Sequence, residues 1–314
     1  MIKLCEKLCR EHSLTHEECV RLVRGHNPET DYFLAQQALK LRQLIFGDTV
    51  FYRGLIEISS FCKNDCKYCG LRRSNKLAPR YRLSEEEIFS GVEKAYSLNY
   101  GTVVLQGGED AFFSPEYVER IVKEIKRRHP EIVVTLSLGE HSRDVYKLWR
   151  EAGAQRYLLR HETANKEHYD FLHPKEMSQE NRLRALNDIR ELGYMTGCGF
   201  LVGAPGESVE TIADNLMFLQ SFKPDMVGIG PFIPATGTPF ENESSGSIKE
   251  TLFLLSVIRL LLPNVYLPAT TALATLSSDG YEQGLRAGAN VIMPNCSPER
   301  VLGKYTIYDG KNIS

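Results

Sequence analysis

Three thiols stand within the eight residues Cys62-Lys-Asn-Asp-Cys66-Lys-Tyr68-Cys69, followed at once by Gly70. A loop at this point lets the backbone curl so that each sulfur points at one centre. Three thiolates can hold three irons of a four-iron cubane, and the fourth iron is then left without a protein ligand. An open coordination position separates a reactive metal site from a closed structural one, by analogy with zinc. The amino and carboxylate groups of S-adenosylmethionine can chelate that iron, and one electron can then break the sulfonium C–S bond. A zinc site using the same thiolates and a distant fourth ligand is the competing reading. It fits less well, because C-x3-C-x2-C is not the paired C-x2-C spacing and no second cysteine pair follows.

Further polar groups stand where short apolar runs end. Gln106-Gly107-Gly108-Glu109-Asp110 combines glycines that permit close backbone approach with a carboxylate able to accept from an ammonium group. In Val-Val-Thr135-Leu-Ser137-Leu-Gly139-Glu140 a period of two puts Thr135 and Ser137 on one face, suited to an inner rim. Arg160 and Glu162 share a face by the same alternation: Glu162 can bind a ribose diol, Arg160 a carboxylate in bidentate fashion, or the two can simply pair. His161 points the other way and is expected to be structural. Glycines in Gly197-Cys-Gly199 and Met226-Val-Gly228-Ile-Gly230 leave room for a ligand against backbone, or for tight strand packing.

These positions need a scaffold. Apolar, β-rich runs at Tyr52–Ile58, Thr102–Gln106, Ile132–Ser137, Arg156–Arg160, Thr196–Val202, Met226–Gly230, Val265–Ala269 and Asn290–Met293 alternate with amphipathic segments. Such alternation predicts an α/β fold with parallel pairing, and eight repeats predict a (βα)8 TIM-type barrel whose strand ends carry the site. Ser84 with Glu87 forms a capping-box pattern stapled by Leu83 and Ile88; Ser114-Pro115, Ser178 and Ser208 mark further helix starts. Residues 1–47 read as an N-terminal helical extension and 48–314 as the barrel.

Bulk properties set limits. With 314 residues, 42% of them hydrophobic and 25% charged, the chain can bury a large core. A formal net charge of −2 offers no basic surplus for a phosphate backbone, so nucleic acid is not expected as a partner. The longest greasy stretch, TLFLLSVIRLLLP, is short and interrupted by Arg259, and the charged N-terminus lacks a signal-peptide pattern. A cytoplasmic protein without membrane contact is expected. Cys5, Cys9, Cys19, Cys198 and Cys296 are scattered and read as ordinary thiols.

The cysteine spacing resembles the radical-SAM superfamily signature, with Tyr68 as the aromatic residue before the last cysteine. The runs CKNDCKYCGLRRSN, VVLQGGED, TLSLGE, RYLLRHETAN, DMVGIGPFIP, PATTA and GANVIMPN together resemble the HydE family, radical-SAM maturases of iron–iron hydrogenase. The resemblance implies one 4Fe-4S cluster on Cys62, Cys66 and Cys69, the catalytic cysteines. It implies S-adenosylmethionine against Tyr68, Gly107, Gly108, Glu109, Ser137, Glu162, Arg182 and Met226. Gln106, Thr135, Arg160, Thr270, Thr271, Met293 and Tyr305 would line the substrate cavity. The substrate so implied is a small organometallic or amino-acid-type molecule, with other hydrogenase maturases and an unidentified electron donor as partners. A methylornithine-synthase-like or biotin-synthase-like enzyme, and an iron–sulfur carrier or scaffold, are the alternatives. Family members often carry further cysteines in a longer tail, whereas this chain has only Cys296 near Ser314. Iron analysis after anaerobic reconstitution is therefore expected to give about four irons per chain, and about eight would contradict a single cluster.

Overall fold

The computed structural model describes residues 1–312. Three helices come first: α1 (Ile2–Glu11), α2 (His16–Gly25) and α3 (Pro28–Phe46). The Asn27 side chain caps α3 by accepting from the N–H groups of Glu29 and Thr30, and Pro28 occupies the first turn, where its missing donor costs nothing. Strands β1 (Phe51–Tyr52) and β2 (Gly54–Ser59) follow, then α4 (Glu85–Ser97), β3 (Thr102–Gly107), α5 (Pro115–Arg128), β4 (Val133–Ser137), α6 (Arg143–Ala152) and β5 (Ala154–Leu158). The remainder comprises α7 (Lys166–Leu172), α8 (Gln179–Glu191), β6 (Met195–Cys198), β7 (Leu201–Val202), α9 (Val209–Phe222), β8 (Met226–Val227), β9 (Gly230–Pro231), α10 (Ile248–Leu261), α11 (Thr271–Leu276), α12 (Gly280–Arg286) and β10 (Val291–Ile292). The capping box at Ser84 and the serine caps at Ser114, Ser178 and Ser208 all form.

The result is an α/β fold around a parallel sheet ordered β2-β3-β4-β5-β6-β8, with two further parallel pairs, β1–β10 and β7–β9. Isolated parallel bridges continue the pairing at Met226–Tyr266, Pro268–Val291 and Leu55–Asn295. Parallel order sends every strand's C-terminal end to the same side, so the loops after β2, β3, β4 and β5 gather there. Behind them Trp149, fully buried, stacks on Tyr157 at 6.2 Å and donates its indole N–H to Pro115 O. None of the helices in the described residues is long and apolar enough to cross a membrane.

Four strand expectations need correction. The run expected over Thr196–Val202 breaks after Cys198, because Gly199 takes φ +153° and its α-carbon presses so close to Gly228 that a Cβ would lie 1.9 Å from Gly228 O. Met226–Gly230 breaks at the same level for the same reason, giving β8 and β9. Val265–Ala269 forms only single bridges at Tyr266 and Pro268; a proline inside the run removes a donor that a continuous ladder needs. The fourth run lies one turn of pattern earlier than expected, ending at Leu158, so Arg160 and Glu162 stand on the loop beyond it.

α3 is fastened to α10 through His26, whose Nδ1 lies 2.8 Å from Asp31 and Nε2 3.1 Å from Glu250, with the ring stacked 3.9 Å from Phe253. The hydrogen bond to Glu250 raises its pKa from 6.5 to about 9, burial opposing and Asp31 assisting. A raised folded-state pKa means that the contribution to stability is complete below 6.5 and is lost as pH rises through about 9. Urea midpoints should therefore decline over that window in the native chain relative to His26→Phe; parallel pH curves for the two proteins would disprove the coupling.

Candidate active site

The cysteine loop leaves the C-terminal end of β2 and is shaped by its own polar residues. The Arg80 guanidinium collects four carbonyls, Ser60, Leu71, Arg72 and Asn75. Asp65 accepts from Ser74 N, Ser74 Oγ and Arg72 Nε; burial alone would raise its pKa, but these bonds outweigh it and hold the carboxyl down to about 2. Arg82 and Ser59 both bind Asp110, tying the loop to the segment after β3.

Missing side chains let neighbouring backbone press in. A Cβ on Gly108 would lie 2.2 Å from Phe61 O and 2.7 Å from Cys62 Cβ. One on Gly139, at φ +83°, would strike Glu109 Cγ at 2.1 Å. The second contact explains how Glu109, 8% exposed, reaches its place: its carboxylate accepts from Glu140 N at 2.9 Å and pairs with Lys63 Nζ at 3.0 Å. Gly107 ends β3 beside Ile58, and Gln106 pairs in register with Glu57 and Ser137.

The three thiols feel one another. Burial raises Cys69 to about 12, with Cys62 the next cause; burial also raises Cys62, and burial followed by Cys69 raises Cys66. Cys66 Sγ lies 3.8 Å from Met177 Sδ. Among the described residues no three His, Cys, Asp or Glu side chains come close enough to share one ion, these cysteines included. Intermediate in exposure and electrostatically coupled, the trio can offer three thiolates, one to each of three irons of a cluster. Tyr68 donates its hydroxyl to His173 Nε2 at 3.1 Å. His173, lowered to about 3 chiefly by burial, is neutral, and its Nδ1–H donates to Tyr169 O, which leaves Nε2 as the acceptor.

Some buried polar side-chain atoms make no hydrogen bond within the protein. Eleven such side-chain atoms occur among the described residues, and five belong to candidate residues: Thr135 Oγ1, Arg160 Nε and Nη2, Glu162 Oε2 and Thr270 Oγ1. Arg160 and Glu162 do pair at 3.1 Å, but with an angle that makes no hydrogen bond. Glu162 adopts φ +63°, so it is a strained loop position and not the strand alternation that brings the two together. Arg182, 6% exposed on α8, binds Glu140 and the Arg160 carbonyl. Thr271 begins α11, Met293 follows β10, and Tyr305 is 4% exposed near Cys62 and Cys69. Ser137 ends β4 at the rim.

Met226 is the exception. It begins β8, and its sulfur lies 3.0 Å from Arg53 Nη1, just before β2, so its contact is at the N-terminal end of the sheet, away from the cysteine loop. His161 is fully buried, lowered to about 3 mainly by burial, and held between Asn215 and Gly199 N, a structural residue. Glu57, Glu140, His173 and Lys311 were not anticipated. Glu57 had a signal, a charge inside the apolar strand Leu-Ile-Glu-Ile; Glu140 directly follows the third-strand motif.

A family model described as Radical SAM superfamily matches residues 56–219. The chain is 48% identical over 288 residues to the [FeFe] hydrogenase maturase subunit HydE of Thermotoga maritima, covering 92% of this chain and 81% of that protein. It is 30% identical over 306 residues to the 3-methylornithine synthase of Methanosarcina acetivorans, covering 97% and 86%. Among solved structures, methylornithine synthase (PylB) superposes with a TM-score of 0.85 at 29% identity, covering 94% of this chain and 87% of that one. HydG from Carboxydothermus hydrogenoformans superposes with a TM-score of 0.79 at 21% identity, covering 93% and 70%, a likeness of fold.

Because the thiols must lose protons before they bind iron, and burial raises all three, uptake should accelerate as pH rises. Stopped-flow uptake at a series of pH values below the unfolding limit checks this; a rate independent of pH would show that the thiols are not the protonated, buried groups described.

Proposed function

The chain belongs to the radical SAM superfamily and, within it, to the HydE maturases, and from that premise we propose how its residues carry out the reaction. It is a radical SAM enzyme acting in maturation of the hydrogenase H-cluster. Cys62, Cys66 and Cys69 are the residues that would hold a 4Fe-4S cluster. Bound there, the cluster supplies the electron that cleaves S-adenosylmethionine into methionine and a 5′-deoxyadenosyl radical.

The observation that carries the assignment of the site is the nearness of Glu109, Arg182 and Glu162 to the cysteines, close enough that their charges act on the Cys62, Cys66 and Cys69 thiols respectively. Glu109, already accepting from one backbone N–H and one lysine, keeps an acceptor-only carboxylate facing the loop, suited to the ammonium of S-adenosylmethionine. Tyr68, with its hydroxyl engaged by neutral His173, presents a fixed ring for adenine to lie against. Glu162 is suited to the ribose hydroxyls. Arg182, with Glu140 and the Arg160 carbonyl on two of its faces, orients Arg160 and directs remaining donors toward a carboxylate. Gly107, Gly108 and Ser137 form the rim. Gln106, Thr135, Arg160, Thr270, Thr271, Met293 and Tyr305 are proposed to line the substrate cavity, with Arg160 and the threonine hydroxyls as the polar contacts.

We propose further that the sheet closes, through the bridges at Tyr266, Pro268 and Asn295, into a TIM-type barrel over residues 48–314, with 1–47 as an N-terminal helical extension. The substrate is proposed to be a small organometallic or amino-acid-type molecule handed on among hydrogenase maturases, with reduction by an electron donor of the cytoplasm. The greater identity to HydE than to 3-methylornithine synthase favours the first over an amino-acid rearrangement.

Cys66→Ala is expected to leave the chain folded, abolish 5′-deoxyadenosine formation under strong reductant, and prevent hydrogenase maturation in a complementation assay. Normal 5′-deoxyadenosine yield from that variant would overturn the assignment of the loop; 3-methylornithine as a product from an amino-acid substrate would replace the maturase reading.

A further inference from the structure

The segment that follows the short 3-10 turn at Glu299–Val301 crosses the loop side of the sheet and is tied at three points. Ile307 O accepts from Gly70 N at 2.9 Å, and a Cβ on Gly70 would lie 2.1 Å from Thr306 O, so the segment touches the cysteine loop backbone to backbone. Asp309 N donates to Pro234 O at 3.0 Å, and its carboxylate accepts from Thr236 N and Oγ1. Lys311 reaches Glu57, 1% exposed inside β2, and forms an ion pair, while Asn295 Nδ2 holds the other Glu57 oxygen at 3.0 Å. Just before the first tie Tyr305 is buried, with Lys311 Nζ 5.2 Å from its ring centroid.

A buried lysine–carboxylate pair is poor evidence for stability, since desolvation offsets most of the attraction and apolar residues can do as well. What such a pair does confer is register: only one placement of the chain satisfies both charges. Slippage of the segment by one residue would leave Glu57 buried, charged and unpaired.

We infer that residues 305–311 form a strap completing the reaction chamber, with Lys311 as the positioning residue whose pairing with Glu57 holds Tyr305 between the cysteine loop and the substrate side. The strap covers the flank of the loop that would otherwise admit solvent to the cluster. This rests on the proposed role of the cysteine loop.

The test uses the full chain, anaerobically reconstituted, with iron release to a strong iron chelator as readout, compared across wild type, Lys311→Met, Lys311→Arg and Asp309→Ala. Ile121→Ala, in the buried face of α5 away from the strap, supplies a control for general destabilisation, its Tm measured alongside. Release about tenfold faster in Lys311→Met, corresponding to ~1.4 kcal/mol of lost local closure, with Lys311→Arg and Ile121→Ala near wild type, is the expected result. Equal rates in Lys311→Met and wild type, or equal acceleration in Ile121→Ala, would overturn the inference. Should Lys311→Met fail to fold, Asp309→Ala decides: faster release than the control supports the strap, and the control's rate refutes it. Wild type that loads iron but makes no 5′-deoxyadenosine removes the functional reading, an outcome distinct from chelation rates that ignore the strap.

Discussion

Burial holds the thiols of Cys62, Cys66 and Cys69 above their ordinary range, so each sulfur is neutral until a cation takes its proton's place. Most of the surrounding architecture follows from enclosing three such groups in one loop. The loop needs internal partners for its own backbone, which Arg80 and Asp65 provide, and neighbours able to approach without side-chain thickness, which Gly70, Gly108 and Gly139 allow. The parallel sheet contributes direction: because all strands end on one side, the loops bearing Glu109, Glu140 and Glu162 arrive beside the cysteines with no long connection.

Much of this was legible in the residues. The cysteine spacing, the glycine-acid run at the end of β3 and the alternation of Thr135 with Ser137 are local signals, and the structure puts the first on the loop after β2, the second across the end of β3 and the third within β4. Helix starts read from Ser84, Ser114, Ser178 and Ser208 were equally local. What could not be read was set by partners remote in sequence. Gly199 and Gly228 break their strands because the two backbones collide only after folding, and the role of Lys311 depends on a carboxylate 254 positions away. Met226 was implied by resemblance alone; it opens its strand, and its contact with Arg53 lies at the end of the sheet away from the cysteine loop.

The pairing of Arg160 with Glu162 shows how a misplaced premise can still lead to a correct neighbourhood. Strand alternation does not reach these residues, since β5 ends at Leu158. Instead the bridge between Glu162 and Phe200 and the positive φ of Glu162 turn the carboxylate back toward the guanidinium. A strained backbone held by its neighbours and carrying a largely buried ion pair is where binding energy from a ligand can be used.

Peptide groups around the cysteines have an effect beyond holding the chain in shape. The backbone N–H groups of Asn64 and Glu109 point at Cys62 and that of Leu71 at Cys69. Any redox centre seated on those sulfurs would find an added electron welcomed by the surrounding peptides, shifting its midpoint potential upward before a second molecule has bound.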